Sequence, residues 1–214
     1  MREVAEFIPR RGPVARALGR SFLRALGWKV VGEFPNVPKA VFIASPHTSN
    51  YDGLFMVATA FALRVKLNWM GKKSLFQSPL AGSFFRSVGG ISIDRSKSND
   101  TVHLLAKEFA KRDSMFLAIA PAGSRKKRDY WKSGFYHIAL AAKVPVICGC
   151  VDYERKEAGI IGMVELSGDE AVDMAKIRAI YEGHQGKHPS RMGRIRLHAE
   201  DAEEIAPQAA GDAN

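Results

Sequence analysis

Short apolar runs that alternate with helical patterns restrict this chain more than any other feature. Lys39–Ala44, residues 67–71, the segment GGISIDR at 89–95, and residues 115–120 and 144–151 have the length and apolar content of strands. Between and after them, residues 53–65, 133–143 and 170–181 read as helices. So does a stretch capped by Asp100, whose Val102, Leu105 and Phe109 share one face. A last strand is expected at 195–198. The alternation predicts one α/β domain: a mixed, largely parallel central sheet flanked by helices, with active residues at strand ends.

Charge narrows the class of partner. Residues 1–198 carry all 32 Lys and Arg against 17 acids, a formal +15, while 199–214 hold five acids and no cation. Such a body suits an anionic partner: nucleic acid, an anionic membrane or an acidic carrier protein. The acidic tail at 199–214 has few large apolar side chains to offset its ordering entropy and is expected to be mobile. Residues 1–34 form an N-terminal amphipathic segment, with Pro13 opening a helix to about residue 26. There Val14, Leu18, Phe22 and Leu26 make an apolar stripe beside Arg16, Arg20 and Arg24. Such a helix either closes the core or lies in a membrane interface. No run of eighteen apolar residues exists and arginines interrupt the N-terminal ones, so neither a spanning helix nor a cleavable signal is expected. Cys148 and Cys150 share one side of a strand-like run and read as reduced, cytosolic thiols.

Polar stretches follow several apolar runs, where such a sheet displays a site. In His47-Thr48-Ser49-Asn50-Tyr51-Asp52 a helical turn would bring Asp52 to the imidazole of His47. A carboxylate on one ring nitrogen leaves the other to take a proton from a hydroxyl. By itself the spacing is weak evidence, and a capping turn is the better-supported reading of it. Arg95 ends the second stretch, GGISIDR. The third, Pro121-Ala122-Gly123-Ser124-Arg125-Lys126-Lys127-Arg128, offers a glycine for close approach, a hydroxyl and four cations. Arginine forks onto phosphate oxygens, and Arg125 stands nearest the strand. His103 and His137 fall within predicted helices and read as structural. His184 and His188 flank Gly186 in a polar loop without an acidic partner at ligand spacing, so no metal site is expected.

In order, these blocks resemble the glycerolipid acyltransferase family, typified by 1-acyl-glycerol-3-phosphate acyltransferase. The family's histidine, four residues, aspartate is matched by His47 and Asp52, its second arginine block by Arg95. Its third block, proline-glutamate-glycine-threonine or serine-arginine, is matched by PAGSR except at Ala122, and its apolar proline block by Val144-Pro145-Val146-Ile147. The resemblance spans about residues 35–155, within an acyltransferase domain at 35–198. It implies transfer of a fatty acyl group from acyl-CoA or acyl-carrier protein to a lysophospholipid hydroxyl, with no metal and no cofactor. His47 would be the general base and Asp52 its orienting acid. Arg95, Gly123, Ser124 and Arg125 would hold the acceptor's phosphate, with Lys73 a weaker candidate.

Ala122 departs from the pattern, because alanine can neither hold the neighbouring arginine nor contact the acceptor's glycerol. Three readings fit it: a natural variant for another lysolipid such as a lyso-aminolipid, a weakened or inactive lipid-binding relative, or a deliberate substitution that traps a complex. The intact surrounding blocks favour the third. The expected location is the cytoplasmic face of a membrane, held peripherally. A hydrolase lacks support because no GxSxG elbow is present, and a nucleic-acid binder would leave the ordered blocks without a purpose.

Overall fold

The computed structural model describes residues 11–87, 89–93 and 98–201. Arg95 and the tail beyond residue 201 lie outside these. Seven strands form one sheet: β1 (Lys29–Val31), β2 (Lys39–Ala44), β3 (Asn68–Lys72), β4 (Gly90–Ile93), β5 (Met115–Ile119), β6 (Val146–Asp152) and β7 (Glu157–Val164). Their order is β1-β7-β6-β2-β5-β3-β4. The five from β6 to β4 run parallel, and β7 returns antiparallel beside β6. The carboxyl ends of β6, β2, β5, β3 and β4 therefore share one edge, and the polar stretches after β2 and β5 emerge there.

The central strands are buried on both faces, which suits near-continuous apolar runs such as KAVFIA. On one face Val41, Ile43, Met115, Leu117, Val146 and Cys148 pack under three helices: α4 (Ser98–Lys111), α5 (Gly134–Ala142) and α6 (Glu170–Tyr181). Asp169 caps α6, its carboxylate accepting from the amide of Val172 at 3.0 Å. On the other face Ala40, Phe42, Phe116 and Ile147 form a second cluster. Helices α1 (Pro13–Ala25) and α2 (Tyr51–Ala62) bury Leu23, Phe55 and Ala58 beside Val151 and Ala158. A further helix, α3 (Pro79–Ser87), places Phe85 edge-on to Trp69 of β3.

Helix α1 resolves its two alternatives in part. Gly19 and Leu23 are its buried residues, while Val14, Leu18, Phe22 and Leu26 are 71%, 62%, 37% and 48% exposed. The apolar stripe therefore does not close the core. The expected strand at 195–198 is absent. Trp131 donates one backbone bond to the carbonyl of Arg196, and the Leu197 amide is taken by the side chain of Glu200 at 2.7 Å. That side-chain bond takes the amide that strand pairing would need, and a helical turn follows at residues 199–201. Cys148 and Cys150 are buried and unpaired, and burial pushes both thiols up to about 12.

Candidate active site

After β2 the chain turns sharply, and α2 begins at Tyr51, so Asp52 sits in the first turn of that helix. Its carboxylate reaches back over the turn. Oδ2 accepts the amides of Thr48 and Ser49, each at 2.8 Å, and lies 3.2 Å from Nδ1 of His47. Oδ1 accepts the hydroxyl of Tyr153 at 2.9 Å. Burial alone would raise this carboxyl. Hydrogen bonds from His47, Ser49, Tyr153 and Thr48 outweigh it and hold Asp52 below its ordinary value. The capping turn and the histidine–aspartate pair are one structure. Asp52 is 5% exposed and ionised, and the ring of His47 is 24% exposed.

His47 lines a cavity of about 40 Å³ at the strand-end edge. Ala122, Lys126, Arg128, Trp131, His184 and Arg191 share its walls. Beneath it the Tyr181 hydroxyl lies 3.1 Å from the carbonyl of Ile43 and 3.0 Å from that of Gly149, joining the end of β2 to the middle of β6. The third polar stretch thus meets the first, because β5 is the neighbour of β2. Within that stretch the cations at the cavity are Lys126 and Arg128; Arg125 is exposed and does not line it. Gly123 explains the path: with φ +65 it turns the chain outward after its amide bonds the carbonyl of Ala120. The Ser124 hydroxyl then lies 3.4 Å from both the Lys126 carbonyl and Nε of Arg128. Lys73 follows β3, two strands from β2, and also lies off this cavity.

The fourth wall comes from the loop after α6. An added Cβ at Gly186 would sit 2.6 Å from Oγ1 of Thr48, so the loop presses directly on the histidine turn. The amide of His188 donates to that same Oγ1 at 3.2 Å, and Arg191 reaches the carbonyl of Thr48 at 3.5 Å. His184 does have an acidic partner: its Nδ1 lies 2.9 Å from Oδ2 of Asp152, a residue 32 positions earlier and fully buried. Asp152 also accepts the amides of Glu154 and Arg155 and the Arg155 guanidinium at 2.6 Å. Tyr153, His184, Arg191 and Asp152 carry no motif of their own, and only the meeting of distant segments reveals them. Among the described residues no three His, Cys, Asp or Glu side chains form a metal-ligand set.

A second, apolar cleft lies between α2 and the sheet, walled by Phe34, Phe42, Met56, Leu63, Val65 and Leu67. The hydroxyl of Thr59, which also lines it, is buried without a hydrogen-bond partner among the described residues. Trp131, Phe135 and Tyr136 pack in the core instead, and Phe84 is exposed. His103 and His137 lie on exposed helix faces.

Residues 29–151, which include this turn and most of the sheet, match the family model described as Acyltransferase. The chain belongs to that family. It is 31% identical to the 1-acyl-sn-glycerol-3-phosphate acyltransferase of Haemophilus influenzae over 146 residues, covering 64% of this chain and 58% of the relative. To the Salmonella typhimurium protein of the same name it is 32% identical over 158 residues, covering 68% of this chain and 62% of the relative. The chain thus spans about three fifths of the length of these relatives. The fold is similar to that of the 1-acyl-sn-glycerophosphate (LPA) acyltransferase from Thermotoga maritima, with a TM-score of 0.51 at 16% identity, over 81% of this chain and 80% of that one.

Proposed function

We propose that this acyltransferase moves a fatty acyl group from an acyl-CoA or acyl-carrier-protein thioester to the hydroxyl of a lysophospholipid such as 1-acyl-glycerol 3-phosphate. One observation carries the reading: His47, tied through Nδ1 to a buried, ionised Asp52, lines a cavity whose other walls include Lys126, Arg128 and Arg191. Nε2 of His47 takes the proton of the acceptor hydroxyl as its oxygen attacks the thioester carbonyl carbon. The tetrahedral oxyanion collapses, the carbon–sulfur bond breaks, and the imidazolium returns the proton to the leaving thiolate. Among the described residues, Asp52 bonds no cation other than the imidazolium that forms, so its charge acts where charge develops. No metal or cofactor takes part in these steps.

The acceptor's phosphate enters beside Lys126 and Arg128, whose exposed side chains are the walls able to yield in so small a cavity. Gly123 and Ser124 shape the loop that carries these cations, Arg125 and Lys73 are further cations off the cavity that could draw the anion in, and Arg95, proposed for the same phosphate, lies outside the described residues. The apolar cleft under α2 offers a channel for an acyl chain. The exposed stripe of α1, together with exposed Leu54 and Val57 of α2, is the surface that meets an anionic membrane at its cytoplasmic face. Basic residues there contribute about 1 kcal/mol each. Sedimentation with anionic vesicles should fall with salt and on neutralising Arg16, Arg20 and Arg24. Binding indifferent to both removes the membrane contact.

The enzymatic test is thioester consumption with 1-acyl-glycerol 3-phosphate, by the chain as it stands and by its Ala122→Glu form. Ala122 supports a second reading, a lipid-binding relative with weakened chemistry. Lipid binding without turnover in both forms would establish that alternative and end the enzymatic one.

A further inference from the structure

Two imidazoles line the cavity, and the mechanism above uses one. His184 is held from below as firmly as His47: Asp152 is fully buried and receives Nδ1 of His184 at 2.9 Å. The two supports are adjacent in sequence. Asp152 ends β6 and Tyr153 follows, and successive side chains at a strand end point to opposite faces. One dipeptide therefore secures His184 through Asp152 and His47 through the Tyr153–Asp52 bond. Its backbone is secured in turn, since the amide of Tyr153 donates to the carbonyl of Gln185 at 3.0 Å.

The charges around the two rings differ. Asp152 is already paired with the Arg155 guanidinium at 2.6 Å, which also donates to the carbonyl of Gly183 at 2.7 Å. A protonated His184 would thus add an uncompensated positive charge to a wall that already carries Lys126, Arg128 and Arg191. With Nδ1 committed to an ionised carboxylate, Nε2 is the ring nitrogen that remains for a ligand in the cavity.

We propose that His184, positioned by Asp152, is a specificity-determining residue that binds the phosphomonoester of the acceptor through Nε2. The proposal rests on the acyltransferase reading for its substrate. Its binding test does not depend on turnover. The side chain of asparagine can keep the bond to Asp152 while removing Nε2, and that of glutamine can keep a neutral donor near Nε2 while giving up Asp152. Calorimetric titration with glycerol 3-phosphate should show affinity reduced about tenfold or more in His184→Asn and less in His184→Gln, with thermal stability of His184→Asn retained. In turnover assays the same loss should appear in KM for 1-acyl-glycerol 3-phosphate, with kcat within about threefold.

Inorganic phosphate and coenzyme A serve as separate arms. An equal loss for coenzyme A would assign His184 to the donor and overturn the proposal. A loss for inorganic phosphate that parallels glycerol 3-phosphate supports phosphomonoester recognition. Unchanged glycerol 3-phosphate affinity in a folded His184→Asn protein reduces His184 to a structural cap on Asp152. If the unmodified chain binds glycerol 3-phosphate through His184 but transfers no acyl group, the enzymatic reading fails while this one stands.

Discussion

The two histidine–carboxylate pairs on this cavity are alike in geometry and opposite in charge balance. Asp52 receives, besides His47, two backbone amides and one phenol, all neutral. A proton on His47 would leave that pair neutral overall. Asp152 already holds Arg155, so a proton on His184 leaves the group positive, which favours an anion. On the roles proposed for them, one motif, a buried acid behind an imidazole, would serve a base on one wall and an anion ligand on the other. A third charge decides which.

The most damaging way to probe that contrast is to remove the ring of His47. His47→Ala should lower kcat about 10²–10⁴-fold with the fold retained, since its ring is partly exposed. Thioester consumption measures it, and a kcat within a few-fold of the parent removes His47 from the chemistry. Next in size, Ala122→Glu should raise transfer about tenfold or more by placing a carboxylate among Lys126, Arg128 and Arg191. An unchanged rate would point to a site built for a different acceptor.

Acid sharpens the comparison through stability. Asp52 and Asp152 are both buried, which would raise their carboxyls. Hydrogen bonds from His47, Ser49, Tyr153 and Thr48 in one case, and from Arg155 and His184 in the other, hold both below the ordinary value. A depressed carboxylate adds stability that is present above its unfolded value of about 3.9 and is lost as pH falls through the folded value. Melting temperature should therefore be level with respect to these groups above about pH 5 and decline below about pH 4. Either Asp52→Asn or Asp152→Asn should flatten that acid limb. If neither does, the hydrogen bonds described here do not set the acid response.

Local signals made much of this readable in advance. The predicted spans of β2 and α6 coincide with the observed ones, because an apolar run ended by a proline and a helix opened by Asp169 declare their own limits. His47 and Asp52 were legible for the same reason, both lying within one turn. What escaped notice depended on partners far away in sequence. Strand β7 follows a tight connection with no Asn-Gly or Asp-Gly signal; Lys156 supplies the positive φ, at 51, and Asp152 organises the turn by accepting the amides of residues 154 and 155. His184 looked partnerless because its acid lies across that connection on β6. Lys126 and Arg128 were hidden behind Arg125, since only the turn at Gly123 decides which cation faces inward.

The smallest effect is expected at Tyr153, the one residue that touches both stories. Its hydroxyl reaches Asp52, and burial followed by that carboxylate pushes the phenol above its usual range, so it remains a donor throughout the reaction. Tyr153→Phe keeps the ring, which packs edge-on to Trp28 at 5.0 Å and to Phe55 at 5.7 Å, and removes only the hydrogen bond. The net worth of such a bond is about 1 kcal/mol, or about fivefold in rate if the whole of it bears on the transition state. Stability and kcat should each fall by no more than this, while KM for the phosphorylated acceptor stays level, because Asp152 and His184 keep their contact. A change in KM without a change in kcat would mean that the two walls are mechanically coupled through the dipeptide, and that the division between base and anion ligand is weaker than their charges imply.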